Sequence, residues 1–443
     1  MLLPIGKNSY SSHLYIIFLI SMCLLPFSTG TGAGSFVVTF AFPFLVLLAV
    51  FIFGNLISRK ERINYPDDLK LTLLCALIHT FSILITSLMN ESLIQSFARS
   101  IFSLIGYLIL LYITSNASIS KDAKLAYNKI SWVLILSGTV MAIYFIVNFL
   151  LAIQQNSLDK VLLERENGGL MSLPWGASNT IAGCLMMPFF LALERAFNMQ
   201  PFGKKQKSPL MFGFMLIIII AILITQSRNV IVTLAMGTIF IGGLTKNIKP
   251  TLIFLTILGI VFVLLLSLLG QDLETIFAAR LGDRAQDVGG FNGRTTLWEV
   301  SLAYFALHPF QPLGYFGMLG ELGHTAHNVF LTTLLEQGVL GLIAYLLFLI
   351  NNFWYCVKKM NSKSLSFMAR KRMTLYLIAM LCILLQLQFE DSNLTAQNII
   401  FQWIFLALMY LSSYCDTPED ADDNRANALL ADASMRNRAR SSY

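Results

Sequence analysis

Three groups of residues in this chain have types and spacings suited to chemistry, and all three lie at the ends of apolar runs. Arg228 falls in Thr225-Gln226-Ser227-Arg228-Asn229, a turn so tight that no loop carries the guanidinium away from its apolar flanks. A cation there either snorkels to lipid head groups or pairs with an anion held between helices, and position alone leaves both readings open. Arg294 follows the glycine-rich Val288-Gly289-Gly290-Phe291-Asn292-Gly293 and opens a predicted helix, with Trp298 one turn on. Helix amino termini and guanidinium forks both suit phosphate oxygens. A pairing of Arg294 with Glu299 or another loop carboxylate is the competing reading. His327-Asn328 is followed, after nine residues, by Gly338-Val339-Leu340-Gly341, so His327 caps a predicted membrane helix whose glycines permit close packing. An imidazole can draw a proton from a hydroxyl near neutral pH, whereas a lone histidine at a helix end is commonly a polar cap.

Other groups compete for the same role. His324 is one helical turn from His327 and is the alternative base. Glu390 and Asp391 stand in the short turn before the last apolar run, where a carboxylate either serves the site or balances a nearby arginine. His79, inside an apolar run, reads as a hydrogen-bonded residue of the bundle. No cluster has the ligand spacing of a zinc or paired-metal site, so neither a metal nor another cofactor is expected. Cys23, Cys75, Cys184 and Cys382 fall in apolar runs and Cys356 and Cys415 on the cytoplasmic side, which argues against a disulfide framework in any outer loop.

The elements that must position these residues follow from composition. With 56% hydrophobic and 12% charged residues over 443 positions, the chain has too little polar surface to clothe a soluble globule and must be solvated by membrane lipid. A net charge of +7 would suit nucleic acid if it were gathered in one patch, but the basic residues are dealt out loop by loop, so no nucleic-acid partner is expected. Spanning stretches are expected near 14–29, 35–57, 71–90, 97–115, 131–153, 180–197, 210–226, 230–244, 251–269, 329–353, 374–389 and 397–413. The first is read as a retained span rather than a cleaved secretory signal, because removing it would reverse the side of every later charge cluster. Loops after the even-numbered spans hold the lysine-rich clusters, including Lys121, Lys124 and Lys129, Lys204, Lys205 and Lys207, and Lys358, Lys359, Arg370, Lys371 and Arg372. The positive-inside rule makes those loops cytoplasmic and both termini cytoplasmic, in a bacterial inner membrane.

The expected fold class is therefore all-α, a polytopic membrane bundle of about twelve transmembrane helices. Residues 1–269 hold spans one to nine, and 270–328 form a partly helical periplasmic loop carrying the candidate site. Residues 329–415 hold spans ten to twelve, and 416–443 form a disordered cytoplasmic tail. Within the loop, helices are expected over 272–281 and 294–307, the second stopped by His308-Pro309.

Four runs together, Gly293-Arg294-Thr295-Thr296-Leu297-Trp298, Pro312-Leu313-Gly314-Tyr315-Phe316-Gly317, His327-Asn328-Val329-Phe330-Leu331 and Glu336-Gln337-Gly338-Val339-Leu340-Gly341, resemble the shared core of bacterial O-antigen ligases and O-antigen polymerases. The resemblance covers roughly 180–350 in motif and the whole chain in topology. It implies a metal-independent glycosyl transfer at the periplasmic face, with an undecaprenyl-diphosphate-linked glycan as donor and a sugar hydroxyl, of the lipid A core or of a growing glycan, as acceptor. The family's essential arginines map by motif onto Arg228 and Arg294 and its loop histidine onto His327. Trp298, Asn328, Tyr315 and Glu390 are the further residues expected to meet substrate. A ligase is the leading expectation and a polymerase the alternative. Arg165 and Gly176 have the spacing of a polymerase loop, but none of Arg280, Arg284 and Arg294 repeats it. A transporter or flippase of the same lipid-linked glycan is the reading from another class. It fits less well, because transporters place their sites near the midplane on broken helices, whereas the polar singularities here gather at one surface.

Overall fold

The computed structural model describes residues 10–29, 38–58, 65–89, 93–115, 123–156, 161, 173, 178–197, 199, 209–268, 294–315, 317–323, 325–389 and 395–415. Its helices are α1 (Tyr10–Leu24), α2 (Phe42–Ser58), α3 (Asp67–Ser87), α4 (Leu93–Thr114), α5 (Ala123–Gln155), α6 (Ser178–Ala196), α7 (Pro209–Thr225), α8 (Arg228–Leu244) and α9 (Ile248–Leu268). They continue with α10 (Arg294–Leu307), the single turn α11 (Met318–Glu321), α12 (Val329–Met360), α13 (Phe367–Leu387) and α14 (Ala396–Ser412). The described residues are otherwise extended only in a two-residue antiparallel pairing of β1 (Ser28–Thr29) with β2 (Val38–Thr39). Every stretch expected to span carries a helix. Three of them, α3, α5 and α12, are long and apolar enough to cross a membrane by length and composition. The expected helix over 272–281 and the tail from 416 lie outside the described residues.

Packing runs through α6, whose residues from Ile181 to Leu193 are all buried. A helix that is apolar on every side belongs inside a bundle. Close helix approach is made by small residues, as expected where lipid supplies no hydrophobic drive between helices. An added Cβ at Gly106 of α4 would overlap the Trp403 ring of α14, and one at Gly138 of α5 would overlap Pro188 of α6.

Two expectations about the far end of the bundle need correction. Arg372 is not a loop charge: α13 begins at Phe367 because the Ser366 hydroxyl accepts the Ala369 N–H at 3.0 Å as an amino-terminal cap. That start draws Arg372 into the interior, fully buried, where it donates to Met199 O at 3.0 Å and Ser412 O at 3.2 Å. It joins Glu194, Tyr127 and Tyr376, with the Tyr127 hydroxyl donating to Glu194 Oε2 at 2.6 Å. Cys356 and Cys415 are likewise buried rather than facing an aqueous side. At the same end Lys359 pairs with Asp68 at 2.6 Å and the Tyr414 hydroxyl donates to Asp68 at 2.7 Å, tying α3, α12 and the end of α14.

α12 is not one straight rod. At Gly338 the backbone takes φ 72° and ψ −176°, a region essentially reserved for glycine. Carbonyls of an interrupted turn need donors from elsewhere, and Leu335 O accepts the Leu313 N–H at 2.9 Å. Of the two glycines expected to form a packing seam, Gly341 does so, since a Cβ there would press on Ser82 Oγ at 2.9 Å. Gly338 instead divides α12 into a short arm, 329–337, and a long shaft. Gly338→Ala should cost about 1–3 kcal/mol, read as a lower thermal midpoint in detergent. Gly213→Ala, in a helix with nothing within 4 Å of the added Cβ, should leave the midpoint unchanged or raise it.

Candidate functional site

The carboxyl end of α13 is held by Arg294 and by Asn229, the chain neighbour of Arg228. Its last turn closes with Phe389 N–H on Gln386 O at 3.0 Å. Gln386 O also accepts from the Asn229 side chain of α8 at 3.3 Å. Phe389 O accepts from Arg294 Nη2 at 2.8 Å, and the guanidinium lies over the Phe389 ring, 5.8 Å from its centroid. A cation at a helix carboxyl terminus meets the negative end of the dipole, so among the described residues Arg294 makes a helix-end contact in place of the alternative pairing with Glu299. Arg228, the first residue of α8, is exposed on the turn that Gln226 enters at φ 54°, with the Ser227 N–H on Thr225 Oγ1 at 3.2 Å.

One turn beyond Arg294, the Trp298 indole N–H donates to Ala326 O at 2.9 Å, which fixes the residue next to His327. His327 itself sits at φ 49°, a left-handed conformation that is uncommon outside glycine, although histidine is among the residues enriched there. Asn328 then caps α12, its Oδ1 accepting from Phe330 N at 3.0 Å and Leu331 N at 3.1 Å. That commits the Asn328 carbonyl to the helix and leaves its amide nitrogen as the part that can meet a ligand. Asn229, next to Arg228, and Arg294 thus meet the same helix end, and Trp298 meets Ala326, next to His327. Asn229 and Arg294 hold carbonyls three residues apart on one helix end, and Trp298 holds the approach to His327. Trp298→Phe keeps the ring and deletes the donor, so transfer should fall by about fivefold, the worth of one hydrogen bond, in initial-rate measurements.

Tyr315 is placed differently from the expectation that it meets substrate. It is 4% exposed, its N–H on Thr86 O at 3.2 Å and its carbonyl accepting from Ser96 Oγ at 2.5 Å. Burial raises its phenol pKa, the Glu336 carboxylate adds to the rise and the Arg99 guanidinium opposes it. A tyrosine held this way strengthens the scaffold rather than facing a ligand. His79 stacks on Phe348 at 5.4 Å between centroids. Its Nδ1 has no hydrogen-bond partner among the described residues, so it is a bundle residue held by stacking rather than by the expected hydrogen bond. His324, Glu390 and Asp391 lie outside the described residues.

A cleft opens between α6, α12, α13 and α14, lined by Tyr345, Phe348, Met380, Leu384, Leu387 and Phe405 among others, with about 530 Å³ of empty space when its open side is counted. Its lining reaches Leu387, the last residue of α13 before the turn that holds Arg294. Among the described residues no group of three or more His, Cys, Asp or Glu is placed to hold a metal ion. Guanidinium groups can bind and polarise an oxyanion and an imidazole can accept a proton, the two acts that transfer from a phosphate leaving group requires.

Sequence reasoning did not single out Glu336, buried at 1% exposure, or Arg99 as its neighbour. The available signal was an acid inside an apolar run and an arginine at the start of a span, since ionisable residues in membrane helices mark functional or structural pairs.

The family model described as O-antigen ligase matches residues 213–346, a stretch that holds Arg228, Arg294, Trp298, Tyr315, His327, Asn328 and the break at Gly338. No curated protein matches the chain. The resemblance read from the sequence is thus met by a match of residues 213–346 to the O-antigen ligase family model, in a chain built of apolar helices.

Proposed function

We propose that this chain is a metal-independent glycosyltransferase of the O-antigen ligase type. It moves a glycan from undecaprenyl diphosphate to an acceptor sugar hydroxyl, that of the lipid A core, at the periplasmic face of the inner membrane. The observation that supports this reading is the chain of contacts running from Asn229 through the end of α13 and Arg294 to Trp298 and Ala326, whose two ends adjoin Arg228 and His327 in the chain. Breaking the anomeric bond to a diphosphate puts negative charge on the leaving oxygens, and Arg228 and Arg294 offset it as it develops. His327 draws the proton from the incoming hydroxyl. Two arginine forks suit a diphosphate, which offers oxygens in pairs. The apolar cleft leading away from Leu387 along α13 offers the donor's isoprenoid chain a place within the bundle. In this reading the chain crosses the membrane about twelve times with both termini cytoplasmic.

The test uses the full-length protein in liposomes with an undecaprenyl-diphosphate-linked glycan. Two acceptors are offered separately, lipid A core and a second lipid-linked repeat unit, and products are resolved on a gel. Glycan appearing on the lipid A core supports the ligase. A ladder that lengthens only on the lipid carrier assigns the chain to the polymerase instead. Transfer to neither, with the protein folded, refutes the reading, and movement of intact donor across the bilayer would turn it into a transporter.

A further inference from the structure

We propose that Glu336, held by Arg99, is a positioning residue that fixes the tilt of the arm 329–337 and through it aims His327 at the acceptor hydroxyl. This rests on His327 being the base of the proposed transfer.

The arm is set off from the membrane shaft. Gly338 breaks α12, so the direction of residues 329–337 depends on contacts besides the helical ladder, among them Phe330 against Tyr345 of the shaft, 6.2 Å between ring centroids. It is set as well by three consecutive residues that each hold a different element. Leu335 O accepts Leu313 N–H at 2.9 Å, Glu336 Oε1 accepts Met318 N–H at 3.4 Å, and Gln337 Oε1 accepts the Ser82 hydroxyl of α3 at 3.2 Å. The strap 312–318 is in turn pinned to the bundle through Tyr315 on Thr86 and Ser96, and Pro312 packs against the open face of Gly338. Two of the sequence runs, Pro312–Gly317 and Glu336–Gly341, are therefore one mechanical unit although they lie apart in the chain.

Within that unit Glu336 is the costly member. It is 1% exposed, and a carboxylate taken out of water needs a countercharge. Arg99, on the first turns of α4, is close enough for its charge and those of Glu336 and Tyr315 to act on one another. An amide would serve Met318 N–H at a smaller desolvation cost. The Arg99 charge offsets part of the cost of burying the Glu336 carboxylate, and a carboxylate is a stronger acceptor for the Met318 N–H than an amide. Leverage makes direction matter. His327 lies about 12 Å along the arm from Leu335 at 1.5 Å per residue, so a tilt of about 10° at the anchor displaces the imidazole by about 2 Å, and a displacement on the order of 1 Å can cost a hundredfold in rate. The nine-residue spacing between His327-Asn328 and Gly338 is, on this account, the length of the arm from the imidazole to its pivot.

Glu336→Gln and Arg99→Gln should each lower turnover at saturating donor by about thirtyfold, with the donor KM within about threefold of the parent. The double variant, which removes both buried charges, should recover to within about fivefold of the parent. Amide hydrogen exchange over 329–337, followed by mass spectrometry on the full protein in detergent, should quicken in each single variant and return toward the parent in the double. That second readout does not depend on any reaction. If His327→Asn retained full transfer, the assignment of His327 as the base would fail while the exchange result still stood. Unchanged exchange and turnover in Glu336→Gln, or a loss confined to KM, would overturn the positioning role, as would a double variant no better than the worse single. Should the single variants not accumulate in the membrane, Glu336→Asp carries the test: the shortened acid should give intermediate exchange and about a tenfold loss of turnover, and parental values for both would refute the proposal.

Discussion

Arg294→Ala should lower glycan transfer by about a hundredfold to a thousandfold while the protein remains folded in the membrane, the range observed when one donor to a developing oxyanion is removed. The guanidinium has five N–H donors, of which Nη2 is engaged by Phe389 O at 2.8 Å. That contact orients the fork without consuming it. Arg294→Lys tests the difference between charge and shape: a lysine restores the cation but not two parallel donors, so it should recover no more than about a tenth of the lost rate. If Arg294 only capped α13, alanine would cost about 1–3 kcal/mol of stability and activity would fall only with the folded fraction. Initial rates on detergent-solubilised protein, measured beside thermal midpoints, separate the two. A near-normal rate per folded molecule in Arg294→Ala would remove the diphosphate from this end of the bundle. Arg228→Ala, at an exposed position, should cost rate and almost no stability.

Much of this arrangement was legible in the chain because its signals are local. Apolar runs of spanning length gave the helices, and His308-Pro309 gave the stop of α10, which ends at Leu307. The cap of α12 was expected at His327, one residue early: the Asn328 side chain beside it accepts the two N–H groups. That Arg228, Arg294 and His327 act together was expected from their common placement on the predicted outer side. No local signal announced the helix end at Gln386 and Phe389 that Asn229 and Arg294 share, about 90 residues beyond Arg294.

What escaped the sequence reading escaped for identifiable reasons. Gly338 and Gly341 look alike as letters, and a small residue in a span usually serves packing. Only the backbone distinguishes the one that turns at φ 72° from the one that touches Ser82. Arg372 sits in a run of Arg370, Lys371 and Arg372 that counts toward the side of the membrane. Its burial follows from the Ser366 cap, which starts α13 early enough to turn that residue inward toward Met199 and Ser412. Arg99 and Glu336 are distant in sequence, and a pair of opposite charges so far apart leaves no pattern in a single chain. Tyr315 was grouped with the site because it lies in a run that resembles the family core, yet the run is needed there as a strap.

His327→Asn should lower transfer by about a hundredfold to ten-thousandfold, the worth of a positioned general base, and asparagine is the informative replacement because of the backbone. At φ 49° alanine would add conformational strain to the loss of the imidazole, whereas asparagine tolerates the left-handed region and retains polar hydrogen-bonding groups. A drop in rate with an unchanged thermal midpoint therefore reports chemistry rather than folding. Asn328→Ala is the companion measurement: it strips two N–H partners from the start of α12, should cost about 1 kcal/mol of stability, and should lower the rate only through the orientation of its neighbour. A normal rate in His327→Asn would mean that the proton leaves by another route, and His324 and Glu390 would then be the groups to replace. A loss in His327→Asn matched by no loss of donor binding, measured with a non-transferable lipid diphosphate, would separate the base from the arginines that grip the leaving group. Under the proposed mechanism these are distinct acts, performed by α12 on one side and by α8 and α10 on the other.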